Sequence, residues 1–78
     1  MREKKLRLVV AFHTTADAMA AERLCKTHGL EGRLIPVPRR ITSDCGIAWS
    51  APPELRKSVE GLLRTSGVEA AGYYELAV

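Results

Sequence analysis

Leu6-Arg7-Leu8-Val9-Val10-Ala11-Phe12, followed at once by His13-Thr14-Thr15-Ala16-Asp17, is the stretch that decides the fold. Leu6, Leu8, Val10 and Phe12 recur at every second position, the period of a β-strand. Val9 and Ala11 on the alternate positions are also apolar, so both faces of this strand can be buried and the strand is central. Thr14 then suits a helix N-cap, with Asp17 three residues on as the acidic member of a box-like start. The box is imperfect, since Glu or Gln is usual there. Strand therefore gives way to helix within a few residues, the opening of a β-α unit.

Working outward, the helix runs to about His28 and stops at Gly29, a suitable residue just past a helix end. Ala18, Ala21, Leu24, Cys25 and His28 share one of its faces. Cys25 sits on that apolar stripe and reads as a core filler. Gly32 to Val37 is a second strand, and Pro36 and Pro38 make it an edge, because proline gives no donor to a ladder. A third strand begins at Cys45 or Gly46 and reaches about Ser50, with Ile47 and Trp49 on one face. Trp49 reads as core, with lining of the site as the alternative. Pro52-Pro53 opens a second helix, with Ser50 or Ala51 near its cap. Leu55, Val59, Leu62 and Leu63 are its apolar stripe, Gly61 is a local weakness, and Gly67 ends it. Tyr73 to Val78 is the last strand. The order β-α-β-β-α-β predicts an α+β fold over residues 1–78. The expected form is a ferredoxin-like sandwich, one antiparallel sheet with both helices on one face.

Composition narrows the functional classes. Seventy-eight residues, 46% apolar and 27% charged, suit one globular domain. No apolar run approaches the roughly 20 residues that span a bilayer, and no cleavable leader is legible at the N-terminus, so a cytoplasmic protein without membrane contact is expected. Two cysteines in such a compartment do not predict a disulfide. Cys25, His28, His13 and Cys45 lack the paired spacings of zinc sites, so no metal is expected. The net charge is +3, much of it from Arg2, Lys4, Lys5 and Arg7. With four aromatic residues (Phe12, Trp49, Tyr73, Tyr74) and no RNA-binding motif, this cluster reads as solvated charge rather than a nucleic-acid surface.

The chemistry concentrates in Pro38-Arg39-Arg40-Ile41-Thr42-Ser43-Asp44-Cys45-Gly46. Unlike Cys25, Cys45 has polar neighbours and two arginines a short loop away, surroundings that favour a thiolate. Asp44 works against this, since an adjacent carboxylate disfavours the thiolate. In the expected topology strands one and two end at the same edge of the sheet, where helix one begins. That would bring His13, Thr14, Thr15 and the N–H groups of the helix start to the edge carrying Arg39, Ser43, Cys45 and Gly46. Arg39 then stabilises an anion or is merely a solvated hairpin residue, and Arg40 is the weaker candidate. His13 carries a proton or is a polar strand end. Thr14 is chiefly a cap, Ser43 and Asp44 make a turn, and Gly46 permits close approach.

Phe12-x-Thr14-Thr15, then Ala18 to Glu22, then Leu34-Ile35-Pro36-Val37-Pro38-Arg39-x-Ile41-x-Ser43-x-Cys45-Gly46 resemble a family of small bacterial proteins described as putative selenium/sulfur carrier protein-like. The resemblance covers nearly the whole chain, and its most specific part is the Pro-Arg…Ser-x-Cys-Gly segment. It implies a sulfur or selenium role with Cys45 as the carrier cysteine and Pro38, Arg39, Ser43 and Gly46 around it. Asp44 falls at a variable place in the pattern, and Cys25 at a place usually aliphatic. Implied partners are a cysteine desulfurase or other sulfur or selenium donor, and an acceptor protein. No cofactor is needed, and an accessory carrier fits better than a multi-turnover enzyme. Two rivals remain: a non-catalytic small-ligand or protein-binding module of the same fold, and a nucleic-acid-associated protein drawn by the basic N-terminus.

Overall fold

A computed structural model describes residues 5–41 and 46–78. Along the chain these form β1 (Leu6–Phe12), α1 (Thr15–Thr27), β2 (Arg33–Pro36), β3 (Ile47–Ala51), a 3-10 turn (Pro53–Leu55), α2 (Arg56–Ser66) and β4 (Ala70–Ala77). The four strands make one sheet in the order β2-β3-β1-β4, and every neighbouring pair is antiparallel. β1 is central and β2 is an edge, as the apolar run and the prolines predict.

The alternation in β1 sends its residues to opposite faces, and both are buried. Leu8, Val10 and Phe12 join Trp49 and Ala51 of β3, Ala18, Ala21 and Cys25 of α1, and Val59 and Leu63 of α2 in one core. Both helices therefore cover the same face. Trp49 is a core residue, 1% exposed. On the other face Val9, Ala11 and Ala48 are buried beneath Ile41, with Ile35, Val37, Leu76 and Val78 packed around them.

Helix ends follow local chemistry. Thr14 is extended at the start of α1, and its Oγ1 accepts from the Asp17 backbone N–H at 3.1 Å. His28 and Gly29 close that helix, with Gly29 at φ +73, and Gly67 at φ +77 closes α2; both are conformations that glycine adopts without a Cβ penalty. His28 is exposed, its ring nitrogen bonded to the Leu24 carbonyl rather than packed in the core.

The chain departs from the sequence pattern at three boundaries. α2 begins at Arg56, after Pro52-Pro53 rather than at it. Each proline keeps the preceding residue out of the α region, so Ala51 stays in β3, Pro52 is extended at ψ 140, and only a 3-10 turn fits before the helix. Ser50, expected near a helix cap, is instead a buried strand residue whose Oγ accepts from Arg7 Nε at 3.1 Å. β4 starts at Ala70, three residues earlier than its β-formers suggest, because pairing with the full length of β1 recruits Ala70–Gly72.

Candidate functional site

The end of β1, the end of β2 and the start of β3 lie at one edge of the sheet. Ala11 is registered with Ala48, and Pro36 with Ile47. α1 starts at the same edge, just after His13 and Thr14. His13, Thr14 and Thr15 are all exposed there. Gly46 is exposed too, and its carbonyl accepts from the Val37 N–H at 3.0 Å, one step beyond the β2–β3 ladder. Ser43 and Cys45, with Thr42 and Asp44 between and beside them, lie outside the described residues.

The β2–β3 connection leaves β2 through a tight turn. The Ile41 N–H donates to the Pro38 carbonyl at 3.0 Å, which puts Arg39 and Arg40 at the turn's centre, a position that leaves side chains outside. Both arginines are exposed, whereas Ile41 is 5% exposed against Val9, Ala11 and Ala48. Ile41 thus anchors the turn onto the sheet face that the helices leave open. There Arg39 and Arg40 line a groove of about 840 Å³ together with Lys5, Arg7, Arg33 and Glu31. His13, Thr14 and Thr15 do not line it. The structure therefore groups the candidates in two places: Thr14, Thr15, His13 and Gly46 along the edge, and Arg39 on the open face with cations from β1 and β2.

Cys25 is the counterpart to this exposed chemistry. It is 0% exposed on α1, and burial pushes its thiol up to about 11. At neutral pH it is a protonated, inaccessible free thiol, the opposite of a nucleophile. Among the described residues no group of three or more His, Cys, Asp or Glu could hold a metal ion. No helix among them is long and apolar enough to cross a membrane.

The family model described as "Putative Se/S carrier protein-like" matches residues 7–75. The chain belongs to this family. No curated protein and no solved structure matches it. The family match runs from β1 to β4, so it takes in both helices, the β2–β3 connection and both cysteines of the chain.

Two features of this Se/S carrier-like chain escape a reading by sequence. Ile41 is given no structural role by the sequence pattern, yet it is the buried anchor of the turn. The signal was present: it is a lone β-branched apolar residue in an otherwise polar loop. Lys5 and Arg7 read as solvated terminal charge, yet both line the groove. Arg7 shares its strand face with Val9 and Ala11 by the period of two, which was enough to place it but not to say what else would join it.

Proposed function

We propose that the chain carries sulfur or selenium on Cys45 within a ferredoxin-like sandwich and passes it from a donor protein to an acceptor. The observation that carries this reading is the fate of the other thiol. The family description points to chalcogen transport, the chain has two cysteines, and Cys25 is sealed in the core with its thiol pushed up to about 11. Reactive sulfur chemistry therefore falls to Cys45. The strand order β2-β3-β1-β4, antiparallel throughout and with both helices against one face, supports the sandwich.

In the proposed transfer the Cys45 thiolate attacks the terminal sulfur of a donor persulfide, R–S–SH. The new Cys45 S–S bond forms as the donor S–S bond breaks, and the electron pair leaves on the donor thiolate. Cys45–S–SH results without any external oxidant or reductant. An acceptor thiolate repeats the displacement and regenerates the Cys45 thiolate. Arg39 supplies positive charge from the turn that leads towards Cys45, while Ser43 and Gly46 flank it in the chain. Thr14, Thr15 and His13 at the shared edge offer helix-start N–H groups and a proton carrier for an anionic adduct. The reaction needs no cofactor, and a cytoplasmic setting with a reducing thiol pool suits it.

Intact-mass measurement tests this. After incubation with a cysteine desulfurase and cysteine, or a selenocysteine lyase and selenocysteine, the wild type should gain one sulfur or selenium. Cys45→Ser should gain none and keep its circular dichroism spectrum. Loading that persists in Cys45→Ser, or that never occurs with either donor, would overturn the proposal.

A further inference from the structure

We propose that the basic groove on the open sheet face docks an extended acidic segment of a partner protein. The groove is lined by five cationic side chains, Lys5, Arg7, Arg33, Arg39 and Arg40, against one acidic side chain, Glu31. These cations come from separate parts of the chain: the start of β1, the start of β2 and the turn after β2. Folding, not sequence adjacency, concentrates them.

Among the described residues none of these five cations makes an ion pair. The ion pairs among the described residues are made by Arg56, to Glu60 at 2.8 Å and Glu75 at 3.0 Å, away on α2 and β4. Arg7 donates from Nε to the buried Ser50 hydroxyl, which fixes the direction of its guanidinium without neutralising it. Between the cations the lining is apolar: Ile35, Pro36, Pro38, Leu76 and Val78. A lining that mixes cationic with apolar side chains is complementary to carboxylates interleaved with apolar side chains. An extended segment alternates its side chains in this way, at about 3.3 Å per residue. Guanidinium groups also hold carboxylates with paired hydrogen bonds.

The same lining argues against the other anionic occupants. No aromatic side chain lines the groove, so it offers bases no stacking platform. Phe12 and Trp49 are buried on the helix-covered face. A small-molecule site encloses most of its ligand, whereas this trough is open to solvent. The inference rests on the groove and not on Cys45, so it stands or falls apart from chalcogen transfer.

A fluorescently labelled peptide of alternating glutamate and valine is the probe, titrated with Cys45→Ser full-length protein and followed by anisotropy. Binding should be saturable and weaken as salt is raised. Reversing Arg33 and Arg39 together (Arg33→Glu with Arg39→Glu) should raise Kd by about tenfold or more. Lys26→Glu with Lys57→Glu imposes the same charge change on exposed positions of α1 and α2 and should leave Kd within about twofold. Circular dichroism checks that each variant is folded, and Arg33→Gln with Arg39→Gln gives a milder pair that should weaken binding in the same direction. No binding to the peptide, or an equal loss in the helix-face control, would overturn the proposal. Tighter binding of a single-stranded RNA oligonucleotide than of the peptide, with the same dependence on Arg33 and Arg39, would overturn it in favour of nucleic acid.

Discussion

The two faces of the sheet are built from alternate residues of the same strands, yet they are completed in different ways. Leu8, Val10 and Phe12 meet two helices and the indole of Trp49, and the result is a thick core. Val9, Ala11 and Ala48 meet, among the described residues of the β2–β3 connection, the buried Ile41 and the half-buried Val37, with Ile35, Leu76 and Val78 around them. The first face uses large side chains and is closed. The second uses small ones, takes a thin cover, and leaves room for a groove lined by five cationic side chains. The larger buried core thus lies on one side of the sheet and the cation-lined groove on the other. The 38–41 turn rests on that face through Ile41 without joining the main core.

The sharpest way to break this comparison is to weaken each face in turn. Trp49→Ala on the helix-covered face should cost about 3–5 kcal/mol, a large part of the roughly 4–12 kcal/mol expected for a chain of this length. Urea unfolding followed by circular dichroism would measure it. Gly32→Ala attacks the same residue from outside, because a Cβ there would overlap the Trp49 ring and lie 2.7 Å from the Ser50 carbonyl oxygen. Ile41→Ala on the open face should cost less, about 2 kcal/mol, with the extra effect that the 38–41 turn loosens. Hydrogen exchange should quicken at the Ile41 amide while the amides of α1 stay protected. A loss as large as that of Trp49→Ala would remove the asymmetry between the faces.

Proton linkage sharpens the comparison further. Cys25 holds its proton to about 11 in the folded chain, whereas an unfolded thiol releases it near 9. The folded state therefore binds the extra proton in this window. Stability attributable to Cys25 is intact below about pH 9 and is lost as pH rises to about 11, by an amount on the order of 2 kcal/mol. Cys25→Ala should flatten that alkaline slope while losing roughly 1 kcal/mol of packing at neutral pH. Tyr73, raised by burial and then by Glu60, contributes a slope of the same sign at higher pH; Cys25→Ala removes only the lesser contribution that Cys25 makes to it, so this slope persists in the variant. Denaturant midpoints measured from pH 7 to pH 11 would separate the two, and an unchanged slope in Cys25→Ala would refute the assignment.

The smallest expected effect lies at the edge that the two faces share. Thr14→Ala removes the acceptor for the Asp17 N–H and should lower stability by about 1 kcal/mol, read as a modest fall in melting temperature. Thr14→Ser keeps the hydroxyl and should restore most of it. A Thr14→Ala loss no larger than that of Thr14→Ser would show that the cap bond contributes little.

Much of this architecture could be read from local patterns. The run Leu6–Phe12 announced a central strand, Thr14 and Gly29 bracketed α1, and Pro36 with Pro38 marked an edge, because each depends on backbone rules that act over a few residues. Cys25 was legible as core for the same reason: helical spacing put it in line with Ala18 and Ala21. The start of α2 was misread because Pro52-Pro53 favours a helix start while also holding Ala51 and Pro52 extended. The start of β4 was misread because pairing with β1 outweighs the weak strand preference of Ala70–Gly72.

By itself, then, the sequence determined the elements, their order, the place of Cys25 in the core, and the family. Only the tertiary structure decided where the charges meet. Arg7, Arg33 and Arg39 lie far apart in the chain and carry no shared local signal. They converge because antiparallel pairing sets β1 and β2 on either side of β3, and because burial of Ile41 draws the arginine turn across the open face. Periodicity reports which side of a strand a residue occupies. Long-range packing alone determines which residues from other strands and loops will stand beside it.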